Sequence, residues 1–229
     1  MTEVGMALSC GLHPSSRLDG SVGWPLPDVE VRLIETDTGT TICEGEEHDT
    51  NGKEREGEIH IRGPTVFSEY WRNPAATASE FVDLGDEGGK WFRTGDVAVR
   101  RTVSNVESHQ DWVKGPAYFI RGRKSTDIIK TGGEKVSALE VERELLSLPQ
   151  IAEAAVVGLP SEQWGQKVCA VVVLASGQEY TGRGGEDGKR WGVMDLRRAL
   201  KAQLAGYKIP QELRVVGEVK RNAMGKGEP

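Results

Sequence analysis

The residues best suited to chemistry in this 229-residue chain stand in a few short, widely separated segments. Thr2-Glu3 sets a hydroxyl beside a carboxylate. Arg93-Thr94-Gly95-Asp96 brings a cation and a carboxylate to either side of a Thr-Gly step, and Gly225-Lys226 ends on an ammonium with a long stem. Between the last two, Gly122-Arg123 supplies a guanidinium, whose fork of donors suits bidentate recognition of oxygen, and Gly132-Gly133 lets another chain or ligand approach the backbone closely. Each also has an ordinary reading. Thr2-Glu3 reads as a frayed end, Thr94-Gly95-Asp96 as an Asx turn, and Arg123 as surface charge beside Arg121 and Lys124. Gly132-Gly133 reads as a hairpin turn and Lys226 as a solvated side chain.

Composition narrows the classes. The net charge of -6 is dispersed and argues against non-specific nucleic-acid binding. Cys10, Cys43 and Cys169 are odd in number and lack CxxC spacing, so a disulfide scaffold or zinc site is not expected and a reducing compartment fits better. His13, His48, His60 and His109 form no HExxH pattern, and Gly132-Gly133-Glu134-Lys135 lacks the spacing of a Walker loop. No apolar run approaches membrane-spanning length. With hydrophobic residues at 37%, modest cores and long loops are expected.

The elements that must position these residues follow from pattern. Gly20–Pro27 reads as a turn and residues 29–34 as a strand, with Val29, Val31 and Leu33 on one face. Residues 44–56 read as a charged, exposed insertion, and Gly57–Arg62 as a short strand. Asn73-Pro74 starts a short helix through Phe81, since proline suits a first helical turn. Trp91-Phe92 leads into a Thr-Gly-Asp turn, and residues 102–115 are polar and irregular. Beyond Gly122, Ser137-x-x-Glu140 has capping-box spacing, and Val141, Leu145 and Leu148 mark one helical face that ends at Pro149. Ala154–Val157, Val168–Leu174 and Leu213–Val216 read as strands, and Asp195–Leu204 as a helix. Residues 176–193 read as a Gly-rich mobile loop. The tail is thus an α-β-β-α-β unit.

Taken in order, Thr2-Glu3-x-Gly5-Met6, Gly20-Ser21-Val22-Gly23-x-Pro25, Gly57-Glu58-Ile59, Arg93-Thr94-Gly95-Asp96, Gly122-Arg123, Gly132-Gly133 and Gly225-Lys226 resemble the adenylate-forming superfamily of acyl-CoA synthetases, luciferases and adenylation domains. The resemblance covers nearly the whole chain, the acidic insertions excepted. It implies an α+β fold in which residues 1–122 form the β-rich C-terminal end of a large AMP-binding domain. Residues 123–229 would form a small mobile α/β domain that rotates between two half-reactions. It implies ATP, Mg²⁺ and coenzyme A as cofactors and a small carboxylic acid as substrate. ATP and the acid would give an acyl-adenylate, and a thiol would then displace AMP. Such chemistry joins two anions, so it depends on positioning and charge neutralisation.

The same resemblance assigns Glu3 to Mg²⁺, a hard cation that takes oxygen ligands, and Thr2 to the α-phosphate. It assigns Asp96 to the ribose hydroxyls, Arg123 to phosphate or ribose, and Ile120 to the neighbourhood of the adenine. Ser125 or Thr126 becomes the hinge, Gly132 and Gly133 border the CoA channel, and Lys226 bridges the substrate carboxylate and α-phosphate. Residues 131–140, Thr-Gly-Gly-Glu-Lys-Val-Ser-Ala-Leu-Glu, are most similar to the malonyl-CoA synthetase branch, which has mitochondrial members. Malonate or a related short acid is the implied substrate, and a mitochondrial or cytoplasmic site the implied location. The family's phosphate loop has no counterpart here, and Gly227-Glu228-Pro229 stands where the family continues with a basic helix. A catalytically inactive C-terminal portion of a larger synthetase is therefore expected. The alternatives are a short nucleotide- or partner-binding protein without ligase activity and a remnant that folds only at its tail. Oligomeric state is not specified.

Overall fold

The computed structural model describes residues 1–85, 88–177 and 191–219. They form a sheet-rich α+β structure of two compact units, which divide between Lys124 and Ser125.

The first unit contains β1 (Leu8–Ser9), β2 (Ser21–Pro25), β3 (Glu30–Glu35), β4 (Thr41–Ile42), β5 (Gly57–Arg62), α1 (Pro74–Glu80), β6 (Phe81–Val82), β7 (Trp91–Arg101) and β8 (Ala117–Arg123). Its sheet runs β1-β2-β8-β7-β5-β3-β4, with β6 added to β7, and every pairing is antiparallel. Alternation along the strands sends Leu33, Ile59, Ile61, Phe92, Ala98 and Tyr118 to one core. Trp91 is buried between the guanidinium groups of Arg32 and Arg62, at 4.3 and 4.4 Å from its ring. Asn73 caps α1 by accepting the Ala76 N–H at 3.1 Å, and Pro74 occupies the first turn.

Two expectations from the sequence are corrected in this unit. Ser21–Pro25 is a strand, not a turn. Its Gly23, at φ +80°, lies in a bulge so close to β1 that a Cβ would stand 2.0 Å from the Ser9 carbonyl oxygen. Thr94-Gly95-Asp96 does not end a strand in a turn, because β7 runs through it for 11 residues and absorbs Gly95, at φ +71°, as a bulge. The charged stretch 44–56 is largely exposed, yet its acids are anchored. Glu47 pairs with buried Arg100 at 3.1 Å, and Glu54 pairs with Arg101 and Arg121.

The second unit contains β9 (Ile128–Thr131), β10 (Glu134–Ser137), α2 (Ala138–Leu146), β11 (Ile151–Ser161), β12 (Gly165–Leu174), α3 (Val193–Leu200) and β13 (Glu212–Val215). Its sheet is ordered β10-β9-β12-β11, with β13 parallel to β12. The expected α-β-β-α-β series is thus preceded by the β9–β10 hairpin, which the short runs Ile128-Ile129 and Lys135–Ser137 concealed. Gly132 and Gly133 adopt φ +56° and +83°, as a two-residue hairpin turn requires. Ser137 caps α2 by accepting the Glu140 N–H at 3.1 Å. Val141 and Leu145 from α2, Leu196 and Leu200 from α3, and Val156, Val168, Ala170 and Val172 from the strands share one core. The helix read as Asp195–Leu204 ends at Leu200, although Leu204 still reaches that core. Most of the Gly-rich loop expected at 176–193 lies outside the described residues.

Candidate active site

The bulge in β7 lies among the ion pairs of Arg93, Asp96 and Arg123. While β5 advances from Glu58 to His60, β7 passes from Val97 to Arg93, four steps against two, so two residues of β7 have no counterpart. The Thr94 hydroxyl donates to the Ile59 carbonyl at 2.8 Å and accepts the Asp96 N–H at 3.0 Å, while Lys124 N–H donates to the Gly95 carbonyl at 2.9 Å. Across the ladder Asp96 faces Arg123, the last residue of β8, and Arg123 Nε lies 2.9 Å from Asp96 Oδ1. Both side chains remain open to solvent, Asp96 at 28% and Arg123 at 44% of full exposure. An accessible carboxylate and an accessible guanidinium thus stand together, able to take hydroxyl donors and anionic oxygens.

Beneath them Glu58 is buried, with Lys124 Nζ at 3.0 Å, Arg93 Nε at 3.5 Å and His60 Nε2 at 3.8 Å. Burial by itself raises the Glu58 pKa, but the Lys124 hydrogen bond and the Lys124 and Arg93 charges outweigh it and hold the carboxyl below its ordinary value. Burial pushes His60 down to about 4 against the opposing charge of Glu58. The imidazole is therefore neutral at pH 7, and Glu58 carries the charge that organises Arg93 and Lys124.

Glu3 is held by the loop before α1. Its carbonyl accepts the Phe67 N–H at 2.8 Å, and its Oε1 lies 3.3 Å from the Tyr70 hydroxyl. Burial raises the Tyr70 pKa, the Glu3 charge adds to that, and Arg123 acts on the same phenol in the opposite sense. Thr2 is exposed beside Glu3. Ile120, also on β8, packs part-buried against the apolar core. Ser125 and Thr126 are exposed in the turn after β8, where the Thr126 hydroxyl donates to Asp127 at 2.9 Å. In the second unit Gly132 donates its N–H to the Trp164 carbonyl at 2.9 Å. A Cβ on Gly132 would stand 2.8 Å from the Trp164 ring, whereas one on Gly133 would meet nothing within 4 Å. Lys226 lies outside the described residues.

Within the first unit the structure therefore brings Asp96 and Arg123 together and sets Glu3 beside Tyr70. Thr94, Tyr70 and Lys124, which support them, carried no assigned role in the sequence. Glu58 had a signal that was readable: a charged residue in a short apolar strand, two positions from His60 on the same face.

Residues 1–71 match the family of AMP-binding enzymes, and residues 140–226 match the AMP-binding enzyme C-terminal domain. The chain belongs to the adenylate-forming superfamily. It is 59% identical over 233 residues to a CoA ligase of Gibberella moniliformis, covering 99% of this chain and 36% of that protein. To the mitochondrial malonate–CoA ligase of Homo sapiens it is 44% identical over 236 residues, again covering 99% of this chain and 36% of the relative. Among solved structures, ATP-bound MatB from Rhodopseudomonas palustris is 31% identical with a TM-score of 0.70, covering 99% of this chain and 37% of that one. The chain thus spans little more than a third of the length of these relatives. No helix among its described residues is long and apolar enough to cross a membrane.

Proposed function

We propose that this chain contributes the nucleotide- and thiol-handling part of an ATP-dependent acid–CoA ligase that acts through an acyl-adenylate on malonate or a related short acid. The observation that carries this reading is the Asp96–Arg123 pair, presented by a strand bulge in a chain that aligns with CoA ligases along 99% of its length. Malonate is favoured by the 44% identity to a malonate–CoA ligase.

In this reading Asp96 accepts hydrogen bonds from the ribose hydroxyls, Arg123 approaches phosphate or ribose oxygens, and Ile120 borders the adenine. Thr2 donates to the α-phosphate. Glu3 fits one ligand position of Mg²⁺: it offers oxygen, the donor that cation prefers, and Tyr70 restrains one carboxylate atom. The described residues contain no group of three or more His, Cys, Asp or Glu that could hold a metal, so the other ligands would come from phosphate and water. The ion supplies neutralisation of phosphate charge. Residues 123–229 act as the small mobile domain, turning at Ser125 or Thr126. The open side of Gly133, next to Gly132, admits the pantetheine arm of CoA, and Lys226 bridges the acid and the α-phosphate.

The test replaces the matching part of the Gibberella moniliformis CoA ligase with this chain and follows the half-reactions separately. Lys226→Ala is expected to abolish acyl-adenylate formation while sparing thioester formation from added acyl-adenylate. Equal loss in both halves, or loss in neither, contradicts the assignment.

A further inference from the structure

Resting on the nucleotide reading of Asp96, we propose that Thr94 is a positioning residue whose hydroxyl closes the β7 bulge and fixes the direction in which the Asp96 carboxylate is presented. A bulge interrupts the ladder and leaves backbone groups in need of partners. Here a single buried hydroxyl serves two of them, donating to Ile59 C=O at 2.8 Å and accepting Asp96 N–H at 3.0 Å. Gly95, between Thr94 and Asp96, accepts the Lys124 N–H with its carbonyl at 2.9 Å. Asp96 is thereby tied through its own amide to β5, while its carboxylate stays 28% exposed beside Arg123.

The same device occurs elsewhere in the sheet. At the β2 bulge the Ser21 hydroxyl accepts the N–H two residues on, at Gly23 (2.8 Å), and donates to the Tyr118 carbonyl of the adjacent strand (3.0 Å). Serine and threonine thus perform one geometric task in this sheet, and it needs the hydroxyl but not the methyl group. At β2 the residue held is a glycine. At β7 it is a carboxylate, so the clasp there sets the aim of a ligand-binding group.

The experiment is equilibrium titration of the full chain with AMP and with 2′,3′-dideoxy-AMP, which lacks the hydroxyls that Asp96 would accept. The wild-type chain should prefer AMP. Thr94→Val, which keeps the shape and removes the hydroxyl, should lose about tenfold in AMP affinity and leave dideoxy-AMP binding unchanged. Thr94→Ser should keep the preference, and Thr94→Ala gives the same reading as valine should valine crowd the buried carbonyl. A retained preference in the hydroxyl-free variants overturns the proposal. So does equal weakening of both ligands, which would make Thr94 merely structural, or loss of the preference in Thr94→Ser. If the wild-type chain binds both ligands alike, the ribose assignment of Asp96 itself fails and the positioning role falls with it.

Discussion

At the residue scale, His60 shows how the ionic group beneath the bulge is tuned. Neither ring nitrogen has a hydrogen-bond partner among the described residues, and the ring is buried beside Glu58, Arg93 and Lys124. Its folded pKa of about 4 lies below the ordinary 6.5, so unfolding allows it to take up a proton as the pH falls. Stability should be full above about pH 6.5 and decline on acidification through pH 4, by up to about 3 kcal/mol. Glu58 is also depressed, from 4.5, and its contribution is lost only at lower pH. The interval between 6.5 and 4.5 therefore isolates the histidine. Urea unfolding of His60→Leu should show a flatter pH dependence there than wild type, and an unchanged slope would contradict the assignment.

At the element scale, the strand bulges carry the site, and they were the part hardest to read in the sequence. A Gly-x-Pro or Thr-Gly-Asp string has the composition of a turn, and only pairing with a neighbouring strand shows that the chain continues. Gly23 makes the point testable. Gly23→Ala would set a methyl group 2.0 Å from the Ser9 carbonyl oxygen at φ +80°, so β1 and β2 must part. A loss of roughly 2–4 kcal/mol is expected in denaturant unfolding, and a loss below about 0.5 kcal/mol would contradict the described approach. What was legible had a local cause. Asn73-Pro74 starts α1 through a cap and a fixed φ, Ser137 starts α2, and Val141, Leu145 and Leu148 lie on the buried face that their spacing indicated. The series Asp96, Arg123 and Glu3 was legible as motifs. The roles of Tyr70, Thr94 and Lys124 were not legible, because their contributions arise from contacts between residues distant in sequence: Tyr70 with Glu3, Thr94 with Ile59, and Lys124 with Glu58.

At the scale of the whole molecule, the two units have separate apolar cores. Leu145, fully buried in the second, can be truncated to alanine at an expected cost of about 2–5 kcal/mol. Hydrogen exchange should then rise in β9–β13 while β2–β8 keep their protection, whereas a uniform rise would show that the cores melt as one. The proposed role of Asp96 in the first unit is to hold the ribose of a nucleotide during ligation of a short acid to CoA. Its most direct test is ATP- and malonate-dependent AMP release by the Gibberella moniliformis ligase carrying this chain, compared with the same protein bearing Asp96→Ala. Malonate-dependent AMP release with a KM for ATP raised at least about tenfold by the substitution is the predicted result. A KM for ATP untouched by Asp96→Ala, or AMP release indifferent to malonate and other short acids, would contradict it.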